Sequence, residues 1–157
     1  MTAAVLGVLG VLAVVGACLL WVRRRTVVIT VRGVSMRPTL EAGDVLIGRR
    51  VRAARLRAGQ VVVVEKPDPD ARFSSWSWPD RRGHLMIKRL AALPGDPVPA
   101  AAAGRLGSGP VPPGSVVVLG DNAEESVDSR QIGYFPVERV VGVALRTHRR
   151  APRRSAR

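Results

Sequence analysis

The sequence predicts a mostly β protein, an antiparallel barrel or sandwich, behind one N-terminal transmembrane helix. Three observations make that prediction. Ala3 to Val22 contains no charged side chain, and a run of about 20 apolar residues is enough to cross a bilayer as a helix. Beyond it the chain breaks into short β-branched runs separated by Gly, Pro and Asp, the pattern of strands joined by turns. No long amphipathic helical pattern follows, which argues against an α/β architecture.

Residues 1–25 read as a membrane anchor with a basic flank, Arg23-Arg24-Arg25. A cleaved signal peptide wants a basic leading region, and Met1-Thr2-Ala3-Ala4 supplies no side-chain charge. Val15-Gly16-Ala17-Cys18 superficially matches a lipoprotein cleavage box, but more apolar residues follow it, and it reads as a chance match. The anchor is therefore expected to be retained.

Residues 26–148 form the expected β-rich domain. Val27-Val28-Ile29-Thr30-Val31 follows the basic stop directly. Val45-Leu46-Ile47, Val61 to Val64, Leu85-Met86-Ile87, Val116 to Leu119 and Val140 to Leu145 continue the series. Two stretches interrupt it. Residues 66–83 are a polar insertion carrying Phe73, Trp76 and Trp78, aromatics suited either to a membrane interface or to packing on a sheet. Residues 97–114 are rich in Pro, Ala and Gly and read as a connection or small subdomain. Residues 149–157 are a basic tail, expected to be disordered.

Composition excludes several functions. The single cysteine, Cys18, allows no internal disulfide. Two histidines, His84 and His148, without a further thiol do not furnish a structural zinc site. No metal and no cofactor are expected. The net charge of +13 is concentrated at Arg23–Arg25, Arg49–Arg57 and Arg149–Arg157. Such clusters suit anionic membrane lipids; without interleaved aromatics or a reading motif, specific nucleic-acid binding is not expected.

Only two of the twenty-five basic side chains are lysines, Lys66 and Lys88. Lys88 sits in an apolar run beside Arg89, where charge alone would be met by a second arginine. Lysine can lose its proton when buried and act as a base; arginine cannot. Three clusters carry possible chemistry. In Gly33-Val34-Ser35-Met36-Arg37-Pro38-Thr39-Leu40, Gly33 and Pro38 force turns on either side of a hydroxyl. A serine on such a turn can be a nucleophile, with backbone N–H groups nearby for an oxyanion. The second is Ile87-Lys88-Arg89-Leu90 with Leu93-Pro94-Gly95-Asp96. The third is the polar loop from Gly120-Asp121-Asn122 through Ser126-Val127-Asp128-Ser129-Arg130. Alone, each also has an ordinary explanation as turn or hairpin chemistry.

In this order and spacing the three clusters resemble the boxes of bacterial type I signal peptidases, and the chain looks like a short member of that family. The resemblance runs from Val31 to Leu145 and includes the anchor. It implies a membrane-bound serine endopeptidase in which Ser35 attacks the scissile carbonyl and Lys88, as neutral amine, takes its proton. It further implies that Ser126 orients Lys88 and that Asp128 and Arg130 brace the site. Gly33, Met36, Pro38, Asp121 and Asn122 would lie near the oxyanion or the substrate. The implied partners are membrane lipids and a preprotein or precursor peptide, bound as an added strand and cut after a small residue in an Ala-X-Ala-like site.

Some family members carry a hydroxyl two residues before the nucleophile; here that position is Gly33, which leaves the second oxyanion donor open. Topology is the awkward feature. The family's catalytic domain normally lies outside the cytoplasm, but Arg23–Arg25 follow the span and nothing basic precedes it, the reverse of the positive-inside bias. A dedicated maturation protease acting on one precursor at the cytoplasmic side is the alternative. A self-cleaving repressor with the same Ser/Lys chemistry should instead show a helix-turn-helix and no span.

Overall fold

The computed structural model describes residues 2–67 and 85–148. Phe73, Trp76, Trp78, His84 and the basic tail 149–157 lie outside the described residues. Helix α1 spans Thr2–Arg25 and passes without a linker into β1 (Thr26–Thr30). The β-branched run beginning at Thr26 favours strand over further helix, and Thr26 Oγ1 donates to the Val22 carbonyl at 2.9 Å, satisfying one of the helix's open C-terminal acceptors. Val11, Val14 and Leu19 of α1 are 64%, 70% and 60% exposed, so its apolar surface is left uncovered. Among the described residues, no helix is long and apolar enough to cross a membrane.

The remaining strands are β2 (Val45–Arg49), β3 (Val61–Glu65), β4 (Leu85–Ala92), β5 (Ser115–Leu119), β6 (Phe135–Pro136) and β7 (Val140–His148). They form one sheet in the order β1-β2-β7-β3-β4-β5-β6, with every neighbouring pair antiparallel. Among the described residues, the expected barrel or sandwich is therefore a single open sheet, with β1 and β6 at its edges, curled into a half-barrel.

The unbroken valine runs have a physical reason. Val62, Val63 and Val64 are all fully buried. Val62 and Val64 face a cluster with Leu90, Val116, Val118 and Phe135, whereas Val63 faces Val31, Met36, Leu40 and Leu46. Strand alternation thus feeds two cores on opposite faces, each fully buried valine contributing about 1.5–3 kcal/mol. β5 repeats the device: Val117 turns away from Val116 and Val118 to join Ala92, Ala102 and Val111. Ala102 belongs to helix α2 (Ala100–Leu106), which forms inside the stretch expected to be an irregular connection.

β4 runs five residues beyond the expected Leu85-Met86-Ile87, and this extension matters most for the site. Val62 pairs with Lys88 and Val61 with Arg89, and Arg89 also pairs with Leu119 of β5. Lys88 and Arg89 are thereby fixed on an interior strand rather than a loop.

Candidate active site

Ser35 lies on the turn between β1 and β2 and is partly buried. Just before it, Gly33 has φ +87°, a left-handed conformation that a residue with a Cβ adopts only under strain. The absence of a hydroxyl there is thus a backbone matter as well as a side-chain one. The turn is held from the far side of the sheet. Asn122 N–H donates to the Ser35 carbonyl at 3.0 Å, and Asn122 Nδ2 donates to the Val34 carbonyl at 3.3 Å.

A second clamp joins the same segments. Arg89 donates in bidentate fashion to Asp121, Nε to Oδ1 at 2.7 Å and a terminal nitrogen to Oδ2 at 2.6 Å. It also reaches the Gly59 carbonyl at 2.8 Å and Thr39 Oγ1 at 3.4 Å. One guanidinium therefore ties β4 to the loop after β5 and to the Ser35 turn. Hydrogen bonding from Arg89 holds the Asp121 carboxyl below the usual range, against the opposing effect of burial.

Lys88 is 3% exposed. Its Nζ donates to Ser126 Oγ at 2.8 Å, and Ser126 Oγ donates to Asp128 Oδ2 at 2.6 Å. Asp128, fully buried, also accepts from Gly120 N–H at 2.7 Å and from the Arg130 guanidinium at 2.6 and 3.0 Å. Of the five buried polar residues in the described chain, Lys88, Ser126 and Asp128 are joined in one line. A buried polar group is tolerated when its bonds are made, and here each link is made.

The electrostatics of the line are uneven. Burial drives the Lys88 pKa below the usual lysine value; the charge of Asp128 opposes that shift and the charge of Arg130 adds to it. Burial by itself would raise the Asp128 pKa, but the bonds from Arg130, Ser126 and Gly120 together hold it below the usual carboxylate range. Asp128 also caps helix α3 (Ser129–Ile132): its side chain accepts from Arg130 N–H while Gln131 reaches back to the Asp128 N–H.

Gly120 is required by the crowding around this line. A Cβ there would collide with Ser126 Oγ and would lie 2.6 Å from the Ser35 carbonyl oxygen. The loop after β5 therefore touches both the serine turn and the lysine's partner.

These elements open onto a groove of about 750 Å³. Its walls are Val28–Val31 of β1, the turn through Arg32, Gly33, Val34, Ser35 and Met36, and Leu85–Lys88 of β4, with Lys66, Glu125 and Val127. β1 and β4 are separated by three strands in the sheet order yet wall the same groove, so the curl sets Ser35 and Lys88 on the lining of one groove. Val28, Leu85 and Val127 line it while 65%, 42% and 58% exposed, giving an apolar rim.

Among the residues singled out in the sequence, Ser35, Lys88, Gly33 and Met36 line the groove. Met36 is also 2% exposed and packed in the core with Val31 and Leu46. Ser126, Asp128 and Arg130 stand behind Lys88. Pro38, Asp121 and Asn122 do not line the groove: Pro38 is exposed, and the other two hold the serine turn from behind. Sequence reasoning did not assign positions to Lys66, which also lines the groove, or to Arg89 and Thr39 of the clamp. The Asp128-Ser129-Arg130-Gln131 capping box was readable from its spacing.

Ser35 on its turn and the buried Lys88 line one groove of the sheet, and comparison with known proteins places the chain in a peptidase family. Residues 4–106 and 99–148 match the family described as signal peptidase, peptidase S26. Over 111 residues the chain is 33% identical to mitochondrial inner membrane protease subunit 1 of Schizosaccharomyces pombe, covering 67% of this chain and 62% of that protein. The chain belongs to the S26 signal peptidase family.

Proposed function

We propose that this chain is a membrane-anchored serine endopeptidase that removes signal peptides from exported preproteins after a small residue. Ser35 is the nucleophile and Lys88 the general base. The observation that carries this function is Lys88 itself: an amine 3% exposed, with its pKa lowered by burial, lining the same groove as Ser35.

In the proposed reaction, Ser35 Oγ bonds to the scissile carbonyl carbon as its proton passes to Lys88 Nζ. The carbonyl oxygen becomes an oxyanion, served by backbone N–H groups of the Ser35 turn. Collapse breaks the C–N bond, and Lys88 returns the proton to the leaving amine. Water then attacks the acyl carbon, giving its proton to Lys88; the ester C–O bond breaks as Lys88 passes that proton to Ser35 Oγ, which frees the acid product and restores both side chains. The substrate would enter as a strand beside β1, whose outer edge is unpaired among the described residues. Alternate side chains would fall toward Val28, Leu85 and Val127, which favours small apolar residues at two positions.

Anchoring is assigned to α1, supported by the uncharged run Ala3–Val22 and its exposed apolar surface. Incubation of the full chain with a preprotein tests the function. Cleavage after a small residue, lost in Ser35→Ala, supports it, and unimpaired cleavage by Ser35→Ala would refute it.

A second function is favoured by one observation. Arg23–Arg25 and four further arginines of the Arg49–Arg55 segment gather at the C-terminal end of α1. The positive-inside bias places that end at the cytoplasmic face. There the same chemistry would serve as a dedicated maturation protease for a single precursor.

A further inference from the structure

A second concavity, sharing no residue with the groove, lies at the C-terminal end of α1. It has a volume of about 390 Å³ and is lined by Arg25, Arg49, Arg50, Arg52, Arg55 and Val51. Five arginines line one cleft, where their like charges repel, and among the described residues none of the five is ion-paired with a carboxylate. A fold that gathers cations in this way is complementary to an anion that is not part of the chain.

The cleft rests on fixed backbone. Arg50 N–H donates to the Arg25 carbonyl at 2.9 Å, tying the end of α1 to the end of β2. Thr26 pairs with Arg49 across β1 and β2. Arg52 to Arg55 form a tight turn closed by Arg55 N–H on the Arg52 carbonyl at 2.9 Å, and the buried Leu56 that follows anchors the turn in the core. The arginine stems thus start from set positions. A planar guanidinium pairs with phosphate oxygens in bidentate fashion, which an ammonium cannot do.

Its placement indicates the source of the phosphate. Trp21 lies one turn before Arg25, with the Arg25 guanidinium carbon 4.7 Å from the indole centroid. A tryptophan followed by cations, at the end of an uncovered apolar helix, matches the depth profile of a bilayer interface. We propose that this cleft is a binding site for the phosphate headgroup of an anionic phospholipid, fixing the height and tilt of the β domain over the membrane. This rests on the anchoring by α1 proposed above. A nucleic acid offers the same phosphate, but no aromatic ring is among the residues lining the cleft, and Trp21 beside it is stacked on Arg25.

The test is reconstitution of the full chain into phosphatidylcholine nanodiscs containing a minor fraction of spin-labelled phosphatidylglycerol. Electron spin resonance then reads the preference of motionally restricted lipid for the anionic over the neutral label. The wild type is expected to prefer the anionic lipid by about fivefold or more, given the attraction of clustered arginines for anionic headgroups. The variant Arg49→Gln/Arg52→Gln/Arg55→Gln should lose most of that preference. The variant Arg23→Gln/Arg24→Gln, which removes charge beside the cleft but not in it, should keep it.

Equal loss in both variants would mean diffuse attraction and would overturn the site. Abolition of the preference by inorganic phosphate, or by a short single-stranded oligonucleotide, would assign the cleft to a soluble phosphate or a nucleic acid and overturn the lipid assignment. If the chain does not enter neutral nanodiscs at all, the anchoring fails and the lipid site fails with it. If it enters but shows no preference, anchoring stands and only the site is refuted.

Discussion

Ser126 Oγ donates its single proton to Asp128 Oδ2, 2.6 Å away. Toward Lys88 Nζ, at 2.8 Å, the same oxygen can therefore act only as an acceptor. The lysine's bond to Ser126 uses an N–H, so a neutral Lys88 keeps its lone pair for another hydroxyl. In the proposed mechanism that hydroxyl is Ser35. Asp128 thus acts on Lys88 at one remove, by fixing which way the Ser126 proton points.

Ser126→Ala should lower kcat more than it raises KM, because it removes the group that aims the base and does not touch the substrate. The expected loss is about 10- to 100-fold, the scale of one buried hydrogen bond worth about 1–3 kcal/mol. Steady-state kinetics on a preprotein peptide check it, with thermal unfolding to show that the fold persists.

The pH profile should respond to the two charges near Lys88. Burial lowers its pKa, so the active neutral form accumulates below the ordinary lysine value of about 10.4 and activity rises with pH through the lowered value. Removing the Asp128 charge with Asp128→Asn should move that rise to lower pH, since Asp128 raises the Lys88 pKa. Arg130→Gln should move it to higher pH, since Arg130 lowers it. Profiles of kcat/KM for the three proteins would decide the matter; no movement in either variant contradicts the assigned electrostatics.

Asp128→Ala should destabilise the domain by about 3–5 kcal/mol, because it leaves the Arg130 guanidinium and Gly120 N–H without their buried partner. The wild type should also weaken in acid. The Asp128 pKa is lowered in the fold, so its contribution is complete above the ordinary carboxylate value of about 3.9 and is lost as pH falls through the lowered folded value. Denaturant unfolding across acidic pH measures both effects.

Gly33→Ser should not create a working second oxyanion donor. With φ +87° at this position, a Cβ introduces about 1–3 kcal/mol of backbone strain beside the nucleophile. The expected result is a lower kcat with modestly reduced stability. A faster enzyme would show that the turn relaxes to present the hydroxyl.

The strands were legible because their valine runs are bounded by turn residues, and the three polar clusters because their spacing is distinctive. What one sequence hides is what depends on distant partners. The extension of β4 through Lys88 and Arg89 is stabilised by pairing with both β3 and β5, and a charged Lys-Arg pair does not announce a strand interior. α2 is visible only once Val117 and Ala92 present a face for Ala102 to cover. The two-residue β6 depends on Phe135 fitting between strands. The Arg89–Asp121 clamp joins residues far apart in sequence and has no local signal. Nor does periodicity reveal the curl that sets β1 across a groove from β4.

The most direct test of the central claim is the rate at which an acylating serine-protease inhibitor labels Ser35, measured against pH in the wild type and in Lys88→Arg. A neutral Lys88 acting on Ser35 requires labelling at Ser35 that rises with pH below the ordinary lysine pKa. It also requires that labelling nearly vanish in Lys88→Arg at every pH, because a guanidinium cannot serve as the base. Labelling of Ser35 at the same rate in both proteins would contradict it.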